Sequence, residues 1–257
     1  MICSGMMNSA EPSDLGAQTR RIRTTEAKMI DFLRRFFSAG HDTSLREKFS
    51  RIYTSNAFGG AESRSGEGSD MVQTAVIRRE LPRMVQELGI NAFMDAPCGD
   101  WFWMKETVLG VAEYIGVDIV EKLIEINTIR FGSLSCRFLC LNLAEDALPK
   151  VDLIFCRDCL VHLNFHAVWR VIANFRRSQS TYLLTTTFTE RKRNADLIGK
   201  DVWRTLNFQV APFNFPPPVR LINEGCTEAS GRYDDKSLGL WRLEDLPVFE
   251  CSDWSRE

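Results

Sequence analysis

The sequence lacks the marks of several common protein classes. None of its apolar stretches approaches the roughly 20 residues needed to span a bilayer, so no membrane contact is expected. Met1 to Ala10 show neither a basic stretch nor a sustained apolar run, so no secretory leader is expected. A formal net charge of −2 offers phosphate backbones no general attraction, which disfavours a nucleic-acid partner. No G-x-G-x-x-G turn is present, and such a turn is what brings backbone amides up to a pyrophosphate; a nicotinamide dehydrogenase is therefore disfavoured. No acidic cluster suited to magnesium and no internal repeat stands out. The eight cysteines sit mostly inside apolar runs, as Cys98, Cys140 and Cys156 do. That placement reads as reduced thiols in a cytoplasmic protein, not as a disulfide framework. Cys156, Cys159 and His162 have the spacing of a zinc or redox site. No second Cys/His pair completes a tetrahedral set, so a strand end running into a turn is the preferred reading and no metal is expected.

What is present fits one α/β domain with an extension: 257 residues, 44% of them hydrophobic and 26% charged. Residues 1–24 are polar, with a basic Arg20-Arg21-Ile22-Arg23 run, and are expected to be a flexible N-terminus. Residues 25–90 are expected to form a helical cap and a lid loop. Met29, Ile30, Leu33, Phe36 and Phe37 recur at helical spacing. Ser44-Leu45-Arg46-Glu47 has the form of a capping box. The Gly/Ser-rich Phe58–Ser69 stretch reads either as a linker or as a lid over the motif that follows it. A helix from about Asp70 to Leu88 is expected, with Ser69 or Asp70 as its N-cap, Pro82 kinking it and Gly89 ending it.

Residues 91–257 alternate short apolar runs with helical segments. Strands are expected at Ala92–Asp95, Tyr114–Asp118, Arg137–Leu141, Val151–Cys156 and Thr181–Thr187, with helices notably at Val120–Phe131 and Phe165–Arg177. Continuous apolar strands joined by crossover helices predict a parallel sheet covered on both faces. Val219–Asn223 and Ser237–Arg242, separated by a polar loop, predict an antiparallel hairpin at the sheet edge.

Polar residues fall at the ends of these strands, where ligands of open α/β sheets bind. The first strand runs into Asp95-Ala96-Pro97-Cys98-Gly99-Asp100, and a helix rich in Trp101, Phe102, Trp103 and Met104 is expected after it. Gly99 permits close backbone approach to a ligand, and Asp95 can accept a hydrogen bond from a cationic amine. The second strand ends at Asp118, followed by Ile119; an acidic residue there is placed to bind both hydroxyls of a ribose. The third ends at Asn142-Leu143, an amide for an adenine edge and an apolar side chain for its ring. The fourth leads into Arg157-Asp158-Cys159-Leu160-Val161-His162.

Over about Ala92 to Leu243 this ordered set of strand-end motifs resembles the class I S-adenosylmethionine (SAM)-dependent methyltransferase family. The resemblance implies a Rossmann-like, seven-stranded, mostly parallel sheet with strand seven antiparallel. It implies that Asp95, Ala96, Pro97, Cys98 and Gly99 line the methionine part of SAM. Asp118 would then bind the ribose, Asn142 and Leu143 would hold the adenine, and Arg157 and Asp158 would stand beside the reactive methyl. The family's glycine-rich turn is reduced here to Gly99, with Pro97 and Trp101 in the flanking glycine positions. SAM carries no phosphate, so an acidic turn suits it.

An alcohol acceptor must lose a proton during transfer. His162 is the expected base and Asp158 the second candidate; His162 can instead be a structural residue at the start of the next helix. Arg64, in the Gly/Ser loop, is expected to pair with the SAM carboxylate or a substrate anion, or else to be a solvated loop residue. His166 is expected to face outward. Asn194 and Asp196 read as substrate contacts or as helix caps. Phe213 and Phe215, flanking the Pro216-Pro217-Pro218 run, read as a pocket wall or as core. Trp101 and Trp103 read as cation–π partners of the sulfonium or as helix packing. The expected activity is SAM-dependent methylation of a small molecule, with a sugar or secondary-metabolite hydroxyl preferred. An amine acceptor and a non-catalytic SAM-fold binding protein are the alternatives, and a homodimer is admitted.

Overall fold

The computed structural model describes residues 43–197 and 202–248. The chain divides into two compact units, residues 1–45 and 46–257. Of the first, only residues 43–45 are described. The readings of 1–24 and of the Met29–Phe37 helix lie outside the described residues.

A helix α1 (Thr43–Ser55) and a helix α2 (Ala75–Glu87) precede the sheet. The strands are β1 (Ala92–Asp95), β2 (Glu113–Asp118), β3 (Cys136–Cys140), β4 (Leu153–Cys156), β5 (Tyr182–Phe188), β6 (Arg220–Asn223) and β7 (Lys236–Arg242). Helix α3 (Glu121–Phe131) connects β2 to β3, and helix α4 (Phe165–Arg177) connects β4 to β5. They form one sheet in the order β3-β2-β1-β4-β5-β7-β6. Neighbours pair in parallel except β7, which runs antiparallel to both β5 and β6. The expected mostly parallel sheet with a C-terminal antiparallel hairpin is therefore present.

Burial explains the order. Every residue of β4 is buried, as a central strand covered on both faces requires, whereas on the edge strand β6 only Ile222 is buried. On one face Phe93, Phe155, Leu184 and Leu240 pack in a single core with Ile77, Leu81 and Met84 of α2 and with α3. Each such side chain, fully withdrawn from water, stabilises the fold by about 1.5–3 kcal/mol. By strand alternation the other face carries Met94, Ile154, Leu183 and Trp241, all essentially inaccessible to solvent. Trp241 meets Phe208 and Phe215, and Phe213 meets Trp169 of α4, so this second layer joins α4 to the Phe208–Phe215 segment.

Local details correct several expectations. Ser44 lies inside α1 instead of capping it. Helix α2 begins at Ala75, after turns over 71–74, with no side-chain cap on Thr74, so neither Ser69 nor Asp70 is its N-cap. Gly89, at φ +64°, does end it, and Pro82 lies within it. After Gly99 there is no α-helix. Trp101 takes a left-handed φ of +56° and Gly110 one of +72°, and the connection to β2 contains only a 3-10 turn at Met104–Glu106. Helix α4 starts as a good helix should: Asn164 Oδ1 accepts from the Ala167 amide at 2.8 Å, and Arg176 and Arg177 sit in its last turn. No helix among the described residues is long and apolar enough to cross a membrane.

Candidate active site

The carboxyl ends of β1, β2 and β3 meet in one hydrogen-bonded group. Asp95, closing β1, is 4% exposed and accepts from the Tyr114 hydroxyl at 2.5 Å. That hydroxyl in turn accepts from the Trp101 indole at 2.7 Å. Burial pushes the Asp95 carboxyl up to about 8, against the opposing pull of the Tyr114 bond. The turn that follows is stitched to both neighbours: the Ala96 amide donates to Phe155 and the Cys98 amide to Val117, each at 2.8 Å. The Gly99 amide donates to Asp118 at 3.2 Å, and Asn127 of α3 donates to the Gly99 carbonyl at 2.9 Å.

Asp118 is buried at the end of β2 and also accepts from the Val120 amide at 2.9 Å. Burial raises its carboxyl to about 6, and the backbone amides aimed at it hold the rise in check. Next to it, the Ile119 carbonyl accepts from Arg46 of α1 at 2.8 Å. Beyond β3, the Leu141 amide donates to the Asp118 carbonyl at 3.0 Å. The Asn142 side chain is committed to its own turn, accepting from Ala144 at 3.0 Å and donating to Glu145 at 3.1 Å. The Leu143 carbonyl accepts from Asn174 of α4 at 2.7 Å. Asp95 to Gly99, Asp118, Ile119, Asn142 and Leu143 are thus contiguous along three strand ends.

Two features depart from that picture. Gly99, at φ +53°, is where an approaching ligand was expected, yet a Cβ added there would run into Ser65 Oγ of the Gly/Ser segment. Arg64 turns the other way. Its guanidinium donates to the Tyr53 carbonyl at 3.0 Å and lies over the Tyr53 ring, in a cleft of about 660 Å³ lined also by Asp100, Phe102, Asn127 and Arg130.

The β4 exit holds a buried cluster of charges. Arg157 places Nε and one terminal nitrogen on the same Glu224 oxygen, at 3.1 and 2.8 Å, and donates to the Gly68 carbonyl at 2.8 Å. Asp158, with φ +50°, lies 3.3 Å from Arg157 and 2.7 Å from Lys236 Nζ. Lys236 is also 3.5 Å from Glu228. Burial alone would raise the Asp158 carboxyl, but Lys236 and Arg157 outweigh it and hold it at about 2. Asp158 is accordingly an ionised anchor and a weak base. Sequence reasoning missed Glu224, Glu228 and Lys236. The strand-end rule used for β1 to β4 would have found two of them, since Glu224 follows β6 and Lys236 opens β7.

His162 is held by the backbone of a distant segment. Its Nδ1 lies 2.5 Å from the Val202 carbonyl. A carbonyl only accepts, so Nδ1 carries the proton and Nε2 keeps its lone pair. The ring is half-buried against Phe58, with centroids 5.0 Å apart. Burial lowers its pKa, and the raising effects of the Val202 bond and of Asp158 do not overcome this. Trp203, next in sequence to Val202, packs on Tyr233, their rings 5.1 Å apart beside Phe188. Phe188 pairs with Lys236 across β5 and β7, which puts this aromatic group on the face of the charge cluster.

The remaining candidates make contacts within the fold. Phe213 and Phe215 are buried in the core. Asn194 knits a loop, bonding Asn207, Val210 and Ala211, and Asp196 accepts from the Phe165 amide at the start of α4. Trp101 packs on Phe131, Tyr114 and Phe138, and Trp103 is buried beneath Arg157. His166 is half-buried on α4, short of the outward position expected. Among the described residues no three His, Cys, Asp or Glu side chains come together as a metal set.

No protein-family model matches the chain, and a search of curated proteins returned no match. Solved structures do match. The 1,6-didemethyltoxoflavin-N1-methyltransferase of Burkholderia thailandensis, with bound 1,6-didemethyltoxoflavin and S-adenosylhomocysteine (SAH), aligns over 80% of this chain and 90% of its own. The sequence identity is 19% and the TM-score 0.53. The N-methyltransferase NodS of Bradyrhizobium japonicum aligns at 13% identity over 64% of this chain and 86% of its own, with a TM-score of 0.45. Magnesium protoporphyrin IX methyltransferase of Synechocystis PCC 6803 aligns at 17% identity over 62% and 82%, with a TM-score of 0.42. The strand order and the likeness to the Burkholderia enzyme give the same answer: the chain has the class I SAM-dependent methyltransferase fold.

Proposed function

We propose that this protein transfers a methyl group from SAM to a hydroxyl of a small molecule. The observation that carries the hydroxyl reading is His162, neutral at pH 7 and held by the Val202 carbonyl with Nε2 unprotonated. The cofactor reading rests on the fold and on the chemistry of the strand ends. Asp118 is a buried carboxylate at the end of β2, and Asp95 and Asp100 flank the Gly99 turn without any basic side chain of a phosphate site between them. Such a group suits a cationic cofactor carrying a ribose and no phosphate.

When bound, SAM supplies an electrophilic methyl on sulfur. The chain's own residues do the rest. Asp118 would accept from the ribose hydroxyls, Asp95 to Gly99 would line the methionine part, and Asn142 and Leu143 would flank the adenine. His162 would take the acceptor's proton at Nε2 as the methyl passes from sulfur to the acceptor oxygen, the S–C bond breaking to leave SAH, while Asp158, locked on Lys236, would stabilise the charged imidazole. Alignment of acceptor and methyl and exclusion of water provide the remaining acceleration. A second reading, an amine acceptor, is favoured by the charge cluster, where three carboxylates, Asp158, Glu224 and Glu228, meet two cations, Arg157 and Lys236. A neutral amine needs little help from a base.

Calorimetric titration with SAM and with NAD, on the wild type and on Asp118→Ala, tests the cofactor. Saturable SAM binding that the substitution weakens supports the reading, and NAD binding in its place removes it. Methyl-labelled SAM offered with hydroxyl and amine acceptors then decides between the two acceptor classes.

A further inference from the structure

We propose that the Gly/Ser segment around Ser63–Asp70 is a strap gating the Gly99 turn, and that Asp100 at one end and the Arg157–Glu224 pair at the other are its positioning residues. What the gate admits rests on the cofactor reading above; that it is a gate does not.

The strap is fastened at both ends, with a 3-10 turn at Glu67–Ser69 in its second half. At the first end Ser63, 1% exposed, donates from Oγ to one Asp100 oxygen at 2.8 Å, and the Arg64 amide donates to the other at 2.9 Å. Asp100 follows Gly99 directly, so this fastening sits on the β1 turn. At the other end the Gly68 carbonyl receives Arg157, itself gripped by Glu224. Gly68 also lies flat on the charge cluster: an added Cβ would stand 3.3 Å from Glu228, 3.4 Å from Asp158 and 3.5 Å from Lys236. Between the fastenings Ser65 covers Gly99 and is exposed on its outer side.

A Gly/Ser-rich stretch has little stiffness of its own; besides its two fastenings, Gly66 is buried beside Phe58 and the Arg64 guanidinium rests on Tyr53. The two fastenings, both charge-assisted, are the strongest polar ties on the closed position. Ser65 and a ligand cannot both occupy the space over Gly99. Anything that reaches the glycine backbone must wait for the strap to move, and the fastenings set how often it does. This gives Arg157 and Glu224 a task distinct from contact with ligand, and it explains why a buried ion pair reaches out to a single loop carbonyl.

The test uses Asp100→Asn and Glu224→Gln in the full chain. Stopped-flow tryptophan fluorescence follows SAH association and dissociation, with Trp101 and Trp103 next to the turn as reporters. Limited trypsin digestion, read by mass spectrometry, follows cleavage after Arg64. A gate predicts that both variants speed association and dissociation together, by about tenfold for a lost charge-assisted bond, and speed cleavage after Arg64. A merely structural role moves stability and leaves these rates alone. Unchanged cleavage in both variants overturns the proposal. Slower association with faster dissociation also overturns it, because the strap would then be part of the binding surface. Should wild-type protein fail to bind SAH, the cofactor reading falls and the cleavage rates alone decide the strap. If Glu224→Gln does not fold, Asp100→Asn on the half-exposed end carries the test.

Discussion

The amide of Gly99 donates to the carboxylate of Asp118 across 3.2 Å, joining the turn after β1 to the end of β2. The same carboxylate is raised to about 6 by its burial. Only its ionised form accepts two hydroxyl hydrogens, so bound SAH should hold it ionised. A group whose pKa falls on binding makes affinity rise with pH until the free protein's own pKa is passed. SAH affinity is therefore expected to be flat above pH 7 and to weaken below 6, approaching about tenfold per pH unit. Asp118→Asn should bind at least about tenfold more weakly at pH 7.5 and lose that dependence. Calorimetry from pH 5 to 8 measures both; equal pH profiles in the two proteins would exclude Asp118 from the ribose site.

Much of this was readable from the sequence, and particular residues show where reading stopped. The β1, β2 and β4 ends were legible because a buried parallel strand is a continuous apolar run, and a polar residue such as Asp118 marks its exit. The missing helix after Gly99 was not legible. Trp101-Phe102-Trp103-Met104 has the apolar density of a helix, but the left-handed Trp101 backbone and its Tyr114 bond are tertiary outcomes. Likewise Arg157 matched a strand-end ligand by position, while its partners Glu224 and Gly68 lie 67 and 89 residues away in sequence. His162 was recognisable as a candidate base. The Val202 carbonyl that fixes its tautomer was not, since a backbone group carries no sequence signal.

Removing the Tyr114 hydroxyl should expose the titration of Asp95. Its folded pKa, raised to about 8, means that the group's contribution to stability is complete below its unfolded value near 4 and is lost as pH rises through 8. The Tyr114 bond opposes that rise by favouring the charged form, so Tyr114→Phe raises the pKa further. The variant should be less stable by about 1–3 kcal/mol, with the larger loss at pH 9 and the smaller at pH 6. Urea denaturation at the two pH values checks this. An equal penalty at the two pH values would mean that Asp95 is already ionised in the folded protein at pH 6.

For a hydroxyl acceptor, His162→Ala should lower kcat by about 100-fold or more while SAH affinity stays near wild type. Because burial depresses the His162 pKa, the acidic limb of kcat/KM should fall below the ordinary histidine value of about 6.5. The limb should vanish in the variant. With an amine acceptor the same substitution should cost little, so a pH–rate series on the two acceptor classes separates base from structural support.

Gly99 and Ser65 should be energetically coupled. Gly99→Ala places a Cβ on a left-handed residue, a cost of about 1–2 kcal/mol wherever it occurs. In the wild type that Cβ also meets Ser65 Oγ, a second cost that depends on the strap. Ser65→Gly removes the second and leaves the first. The double variant should therefore be more stable than the sum of the single effects, by about 0.5 kcal/mol or more, the scale expected for side chains in direct contact. Denaturation of all four proteins gives the coupling. Strict additivity would mean that Ser65 does not lie over Gly99 in solution, and the strap would then have no hold on the space that a ligand must enter.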